Sequence, residues 1–176
     1  MAKVGIFFGT DTGNTRKIAK AIHKQLGDAA DKPVNINKAT VDDLLAYDVL
    51  ILGSPTYGEG ELPGLSAGHE SESWEEFLPT LSGADFSGKA VALFGLGDQV
   101  GYAGHFVDAL GFLFDAFSDA GANVIGFTST EGYAFKKSKA VLEDQFVGLA
   151  LDEDNEKALT EGRLSAWLAD ISSAWA

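Results

Sequence analysis

The chain has 176 residues, of which 45% are hydrophobic, so it is long enough to form one domain with a large core. Its 26 acidic and 13 basic residues give a formal net charge of −13, which disfavours binding to nucleic acid or anionic lipid and favours basic partners. It has no cysteine, which excludes disulfides, cysteine-ligated iron–sulfur clusters and thiol nucleophiles.

Neither a secretion signal nor a membrane helix is expected. The first residues lead directly into a strand-like segment without the pattern of a signal peptide. No apolar run approaches the roughly 18 residues that a membrane helix needs. We therefore expect a cytoplasmic protein that binds neither membranes nor nucleic acid.

Strand and helix patterns alternate along the chain. Several strand candidates are almost continuously apolar, which is typical of strands covered on both faces of a parallel sheet. In chain order, the patterns predict a strand at 4–8, a helix at 15–26, an edge strand at 33–37, a helix at 41–47, a strand at 49–52, a helix at 73–81, a strand at 90–94, a helix at 106–117, a strand at 124–127 that resumes at 146–151, and a helix at 160–174. This order predicts an α/β fold with helices on both faces of the sheet.

One segment interrupts the alternation. Residues 131–145 are polar and rich in turn-forming residues, and an apolar strand pattern resumes after them. We interpret the segment as an insertion that splits the fifth strand of a single domain spanning residues 1–176. Its lysines, Lys136, Lys137 and Lys139, are either solvated or part of a partner-binding surface.

In an open parallel sheet, ligands bind outside the carboxyl ends of the strands, where the strand order reverses. The loops expected at that edge are residues 10–15, 54–73 and 95–104, and each is rich in glycine, hydroxyl or aromatic side chains. We therefore expect the functional site to be built from these loops.

The first of these loops has the composition of an anion site. It carries the hydroxyls of Thr10, Thr12 and Thr15, and its backbone N–H groups stand at the start of a helix. It has neither the lysine of a Walker A loop nor a Gly-x-Gly-x-x-Gly motif, so it would anchor a phosphate without transferring it. The alternative is a turn that only caps the helix. The neighbouring Arg16 is interpreted as a solvated helix residue.

The other two loops each carry a tyrosine among glycines. Tyr57 follows the third strand and Tyr102 follows the fourth. Aromatic side chains usually prefer a core, so a pair of them at one crevice suggests a clamp for a planar ring. The alternative is that each tyrosine covers only its own loop.

These loops resemble the FMN-binding loops of the flavodoxin family. The matching segments are Thr-x-Thr-Gly-x-Thr at 10–15, Pro-Thr-Tyr-Gly-Glu-Gly-Glu-Leu at 55–62 and Gly-Leu-Gly-Asp-Gln-Val-Gly-Tyr at 95–102. Residues 72–79 and 146–155 resemble the long-chain group, whose hallmark is the insertion in strand five. The resemblance covers essentially the whole chain. It implies a five-stranded, doubly wound parallel sheet of order 2-1-3-4-5 and a non-covalently bound FMN.

The resemblance also implies a role for each loop residue. The FMN phosphate would be held by Thr10, Asp11, Thr12, Gly13, Asn14 and Thr15. The flavin ring would stack between Tyr57 on its inner face and Tyr102 on its outer face. The remaining contacts would come from Pro55, Thr56, Gly58, Gly60, Gly95, Leu96, Gly97, Asp98, Gln99, Gly101 and Asp154. Among these, the backbone of Asp98 and Gln99 would meet the pyrimidine edge, the N–H of Gly60 would bind the flavin O4, and Asp154 would lie near the ribityl chain.

A carrier of this kind has no catalytic residue, and the protein only shifts the potentials of its cofactor. The resemblance implies a low-potential one-electron carrier that shuttles between semiquinone and hydroquinone. The peptide between Gly58 and Glu59 would act as a redox switch, because a glycine lets a carbonyl turn toward the proton gained at the flavin N5.

Acidic side chains near the crevice would lower the potential. Each charge at roughly 10 Å from the flavin would contribute about 20 mV. The candidates are Glu59, Glu61, Glu70, Glu72, Asp98 and Asp154. The same charges would attract basic-faced redox proteins to a monomer, with a flavin reductase as donor and a nitrogenase component as one kind of acceptor.

Two alternative functions stay open at this point. One is an FMN-dependent NAD(P)H–quinone oxidoreductase of the same fold, and the other is a phosphorelay receiver domain. No metal site is predicted, because His23, His69 and His105 lack ligand spacing and are interpreted as surface residues. The tryptophans, Trp74, Trp167 and Trp175, fall on helix positions that face a core.

Overall fold

The computed structural model describes residues 3–10 and 13–175 of the chain. In those ranges the strands are β1 (Val4–Phe8), β2 (Val34–Asn35), β3 (Val49–Pro55), β4 (Ala90–Leu96), β5 (Asn123–Ile125), β6 (Thr128–Ser129), β7 (Val141–Leu142), β8 (Gln145–Phe146) and β9 (Leu149–Leu151). The α-helices are α1 (Asn14–Leu26), α2 (Val41–Leu45), α3 (Trp74–Phe77), α4 (Asp108–Asp119) and α5 (Lys157–Ile171).

The main sheet is parallel and has the order β2-β1-β3-β4-β5, which confirms the predicted order and fold class. At its centre, Ile51 of β3 lies opposite Ile6 of β1 and Ala92 of β4. All three residues are buried, because helices cover both faces of the sheet. The almost continuous apolar sequence of these strands follows from this double coverage.

Two strands share the fifth position of the sheet. β5 pairs with the first half of β4, where Val124 lies opposite Val91, and β9 pairs with the second half, where Ala150 lies opposite Gly95. Between β5 and β9 the chain forms a small antiparallel sheet of order β6-β8-β7. The predicted insertion that splits the fifth strand is therefore confirmed.

The predicted continuous strand over residues 146–151 is wrong in its first half. Phe146 pairs with β6 and β7 in the small sheet, and the N–H of Val147 donates to the carbonyl of Ala140 at 2.8 Å. A Cβ at position 148 would lie 2.1 Å from the carbonyl oxygen of Leu93, so only glycine lets the chain pass this close to β4. The chain joins the main sheet immediately after Gly148.

The helices form two apolar layers. α1 and α5 cover one face of the sheet with buried residues such as Ile22 and Leu168. α3 and α4 cover the other face, where the rings of Trp74 and Phe117 meet edge to face at 6.2 Å. Each large side chain buried in this way contributes about 1.5–3 kcal/mol. As predicted, Trp74, Trp167 and Trp175 all lie in these layers.

Backbone conformation sets some element ends differently from the sequence pattern. α4 begins at Asp108 instead of residue 106, because Val107 has a left-handed φ of 48° that an α-helix cannot contain. β2 ends at Asn35, whose side chain accepts the N–H of Asn37 at 3.2 Å as the chain enters a 3₁₀ turn. α3 covers only four residues of its predicted range and continues as the 3₁₀ turn Leu78–Leu81. Within the described ranges, none of the helices has both the length and the apolar composition needed to cross a membrane.

Candidate functional site

A cleft of about 260 Å³ opens at the carboxyl ends of β1, β3 and β4, where the three predicted loops meet. Most of the predicted site residues line it, namely Asn14, Thr15, Pro55, Thr56, Tyr57, Gly58, Leu96, Gly97, Asp98, Tyr102 and Asp154. His105 and Glu153, which the sequence analysis did not place in the site, complete the lining. The fold thus brings distant parts of the chain to one crevice.

One end of the cleft has the properties of an anion site. Thr15 is 1% exposed, and its Oγ1 has no hydrogen-bond partner among the described residues. It lies in the first turn of α1, which contains no acidic side chain and follows Gly13 at a φ of 96°. A buried hydroxyl without a partner costs about 1–3 kcal/mol, and the helix N-terminus favours negative charge. A phosphate oxygen would satisfy both features.

The loop between β1 and α1 lies only partly within the described residues. The Oγ1 of Thr10 accepts the N–H of Gly13 at 2.9 Å, which closes the turn before α1. Neither Thr10 nor Gly13 is among the residues that line the cleft. Asp11 and Thr12, which the resemblance assigns to the same phosphate, lie outside the described residues.

The wall that carries Tyr57 is a short turn closed by its own backbone. The N–H of Tyr57 donates to Glu61 at 3.0 Å, and the N–H of Glu61 donates back to Tyr57 at 2.7 Å. Gly58 has a left-handed φ of 49°, and its carbonyl accepts no hydrogen bond from the described residues. The ring of Tyr57 meets that of His69 edge-on at 4.3 Å, so His69, interpreted as a surface residue, also supports this wall.

Gly60 does not lie on the cleft in this structure. Its N–H donates to the carbonyl of Tyr57 at 3.0 Å within the same turn, so it is not free for the predicted bond to the flavin O4. The residue is buried against α4, where a Cβ would lie 2.4 Å from a carboxylate oxygen of Asp108. The glycine here permits a close approach of the turn to α4.

The wall that carries Tyr102 is built around the carboxylate of Asp98. One oxygen of Asp98 accepts the N–H groups of Val100 at 3.0 Å and Gly101 at 2.7 Å, and the N–H of Tyr102 donates to the Asp98 carbonyl. The bond from Gly101, followed by one from the side chain of Asn155, lowers the pKa of Asp98. Gly101 therefore acts inside the loop, while Tyr102 is 54% exposed at the mouth of the cleft.

A buried carboxylate fastens this loop to the sheet. Asp152 is fully buried directly after β9, and its oxygens accept N–H groups from Gln99 at 3.2 Å, Asp154 at 3.1 Å and Asn155 at 2.9 Å. Its second bond with Asn155, from the side-chain amide at 2.9 Å, links it to Asp98 as well. Asp152 was not among the predicted site residues, although it directly follows the buried strand β9.

Gln99 faces away from the cleft. It is 2% exposed, its N–H is taken by Asp152, and its side-chain amide donates to Glu156 at 2.6 Å. Its predicted meeting with the pyrimidine edge would need the backbone to give up the bond to Asp152. Gly95 lies deeper in β4, where a Cβ would come within 2.6 Å of Leu110, so it serves the packing of α4.

The loop after β3 is also tied to β4 and α4. The N–H of Thr56 donates to the carbonyl of Leu96 at 3.1 Å, and its Oγ1 accepts the N–H of Ala109 at 3.0 Å. These bonds tie the start of the Tyr57 loop to the end of β4 and to α4.

The cleft is strongly acidic. Asp98, Glu153 and Asp154 line it. Desolvation and then the nearby charges of Asp98, Asp152 and Glu153 raise the pKa of Asp154, so the site already disfavours one further negative charge. The other predicted acids, Glu59, Glu61, Glu70 and Glu72, are exposed and lie outside the lining.

His105, interpreted as a surface residue, is partly exposed and also belongs to the site. It lines the cleft, and its Nδ1 lies 3.2 Å from Oδ2 of Asp108, which is 1% exposed. No local sequence pattern marks this pair, because the left-handed turn at Val107 separates the two residues.

The comparisons with known proteins agree with one another. The family model described as Flavodoxin matches residues 6–167. The chain is similar to the flavodoxin of Klebsiella pneumoniae, with 61% identity over 171 residues and 97% of each chain covered. It is 48% identical over 175 residues to flavodoxin 1 of Escherichia coli strain K12, covering 98% of this chain and 94% of the relative. The crystal structure of Fusobacterium nucleatum flavodoxin bound to flavin mononucleotide matches it with a TM-score of 0.90 at 34% identity, and both chains are covered completely.

Proposed function

The chain belongs to the flavodoxin family, a family of electron carriers, and from this premise we propose that it is a low-potential one-electron carrier with non-covalently bound FMN. One observation carries the proposal. The buried hydroxyl of Thr15, which has no partner among the described residues, stands at the start of α1 in the same cleft as Tyr57 and Tyr102. The cleft thus combines an anchor for a phosphate with walls for a planar ring.

The residues of the cleft fit FMN at both of its ends. Thr15, Asn14 and the first N–H groups of α1 would hold the phosphate without a metal or a lysine. Tyr57 and Tyr102 would cover the two faces of the ring and exclude water from it. The bound flavin supplies the electron chemistry, and the protein supplies position and charge.

We infer that the Gly58–Glu59 peptide responds to reduction. In support of this, the carbonyl of Gly58 accepts no hydrogen bond from the described residues and stands beside the cleft. It can therefore accept a bond from a proton gained at the flavin N5, a gain of about 1 kcal/mol that exists only after reduction. A glycine allows this peptide to turn at little conformational cost.

The acids of the cleft would lower the potential of the last reduction step. Asp98, Glu153 and Asp154 line the site, and each charge at roughly 10 Å would contribute about 20 mV. No single acid sets the potential, but together they make a second electron unfavourable. This supports cycling between the one-electron and two-electron reduced states.

The same acidic rim supports docking to basic-faced redox proteins. We propose a flavin reductase as donor and a small redox protein or enzyme component, such as one of nitrogenase, as acceptor. Complexes of this kind are transient, and their association should slow as the salt concentration rises. The assignments to one domain, a monomer, the cytoplasm and the long-chain group stay predictions. The inserted sheet β6-β8-β7 supports the last of them.

The family excludes the receiver-domain alternative, and two features disfavour the quinone reductase. An NAD(P)H-dependent enzyme needs an open flavin face and basic residues for the dinucleotide phosphates. Here Tyr102 lies at the mouth of the cleft and the lining carries Asp98, Glu153 and Asp154.

Anaerobic titration of the FMN-loaded protein with dithionite tests the proposal. We expect more than half of the flavin to pass through the neutral one-electron form, seen by its long-wavelength absorbance. Direct two-electron reduction, or steady-state oxidation of NADPH by the protein and a quinone alone, would overturn the proposed function.

A further inference from the structure

We propose that His105 is a redox-linked proton acceptor, which takes up a proton when the last electron enters the cleft. The inference rests on the proposed function, because the charge that drives it is that of the reduced FMN. It goes beyond that function in naming a residue of this chain that couples electron transfer to proton uptake.

The imidazole of His105 lies at the cleft and is open to solvent. His105 lines the cleft beside Tyr102, and its side chain is 40% exposed, so protons reach it from the solvent. It also lines the adjoining groove formed with the inserted segment. A positive charge on this imidazole would therefore act on the cleft, although the side chain is not buried.

A hydrogen bond to Asp108 fixes the tautomer of His105. Nδ1 of His105 lies 3.2 Å from Oδ2 of Asp108, which is almost completely buried. A carboxylate can only accept, so Nδ1 carries the hydrogen and donates it. The other oxygen of Asp108 accepts the N–H of Lys139 at 2.7 Å, which holds the carboxylate in place. A new proton must then enter at Nε2.

Proton uptake by His105 would balance the charge of the added electron. One electron enters from the reductant and one proton enters from water at Nε2, so the added negative charge is matched by an imidazolium at the same cleft. Histidine is the side chain whose ordinary titration range lies between pH 5 and 8. The titratable groups that line the cleft with it are Asp98, Tyr102, Glu153 and Asp154, and those that line the groove with it are Asp108, Lys136, Lys137 and Lys139.

The other histidines do not meet these conditions. Nδ1 of His69 accepts the N–H of Gly64 at 3.3 Å, so protonation there would break a bond, and the residue does not line the cleft. His23 lies on α1 in a separate basic groove with Arg16, Lys20, Lys32 and Lys38. It serves as an internal control of the same residue type.

The test compares wild type, His105→Gln and His23→Gln, all loaded with FMN. The equilibrium constant for adding the last electron is measured against a reference dye at pH 5 and pH 8. In wild type and His23→Gln, low pH should favour reduction about three- to fivefold more than in His105→Gln. Equal pH dependence in wild type and His105→Gln would overturn the proposal.

A second readout does not depend on the variant. Proton NMR of the wild-type protein at pH 6.5 follows the three imidazole rings before and after complete reduction. We expect the His105 signal to move toward its protonated position while the His23 signal stays in place, and an unchanged His105 signal would also overturn the proposal. If the wild type bound no FMN, the proposed function would fail first, and a failure of this inference would leave FMN binding intact.

Discussion

The two tyrosine-bearing walls of the cleft are held in different ways. Tyr57 stands on a turn that is closed by bonds between itself and Glu61, with His69 as its aromatic neighbour. Tyr102 stands on a loop tied to the buried Asp152 through Asp98 and Gln99. The insertion holds this second loop too, since two of its N–H groups donate to the carbonyl of Ala103.

This difference indicates that one wall positions the flavin and the other responds to its reduction. A carrier loses speed when its cofactor site rearranges extensively, so a firmly fastened wall keeps the flavin in place. A peptide that must change its conformation on reduction is better placed in a short turn with few hydrogen bonds to the rest of the protein. We therefore assign positioning to the Tyr102 wall and response to the Gly58 turn.

Removing the fastening of the Tyr102 wall should have the largest effect. In Asp152→Ala, the buried N–H group of Gln99 and the part-buried N–H group of Asn155 lose their acceptor, so the apoprotein should lose about 3 kcal/mol of unfolding free energy in urea. The affinity for FMN should fall at least tenfold. Asp170→Ala removes an exposed aspartate from α5 and serves as control. Equal losses in both variants would mean that Asp152 fastens nothing.

Removing the outer aromatic ring should affect FMN but not folding. Tyr102 is 54% exposed, so Tyr102→Ala should leave the urea midpoint of the apoprotein nearly unchanged. Loss of stacking, worth about 1–1.5 kcal/mol, should weaken FMN binding roughly tenfold by fluorescence titration. Tyr102→Phe keeps the ring and should bind like wild type. Unchanged affinity in the alanine variant would show that Tyr102 only covers its own loop.

Stiffening the responsive turn should change the redox equilibrium more than FMN binding. Gly58→Ala places a side chain at a φ of 49°, at a cost of about 1 kcal/mol. If the peptide must turn on reduction, the formation constant of the one-electron reduced form should drop about fivefold in a dithionite titration. Gly132→Ala carries a similar strain at a φ of 84° in the insertion, with open space around it. A matching drop in this control would remove the argument for a switch.

Removing one charge from the rim should have the smallest effect, with a definite sign. The pKa of Asp154 is raised in the folded protein, so its contribution to stability is present below the unfolded pKa and is lost as the pH rises through the folded pKa. Asp154→Asn should therefore be more stable than wild type at pH 7 and equal to it near pH 2–3. Its flavin potential should rise by about 20 mV. Urea unfolding at both pH values and potentiometry check this, and lower stability at pH 7 would contradict the stated sign.

The sequence predicts the sheet well because strands buried on both faces must be apolar throughout, a pattern that survives in any context. It predicts which loops meet, since the carboxyl ends of parallel strands share one edge. It does not predict which acceptors the individual backbone N–H groups bind. The destinations of the Gly60 and Gln99 amides depend on Tyr57 and Asp152, and no spacing rule connects these residues.

The pairing of His105 with Asp108 escaped prediction for a local reason. The contact of His105 with Asp108 spans the left-handed residue Val107, where the periodicity instead predicts a helix that begins at residue 106. A β-branched residue in that conformation is not a pattern that sequence reasoning expects. Tertiary packing holds it there, because Val107 is completely buried.

The central claim is that this cleft holds FMN by its phosphate as well as its ring. Titrating the apoprotein with FMN and with riboflavin, and following the quenching of flavin fluorescence, tests it most directly. One equivalent of FMN should bind, and riboflavin should bind at least a hundredfold more weakly because Thr15 and the start of α1 then lack their anion. Equal affinity for the two flavins, or no binding of either, would contradict the claim.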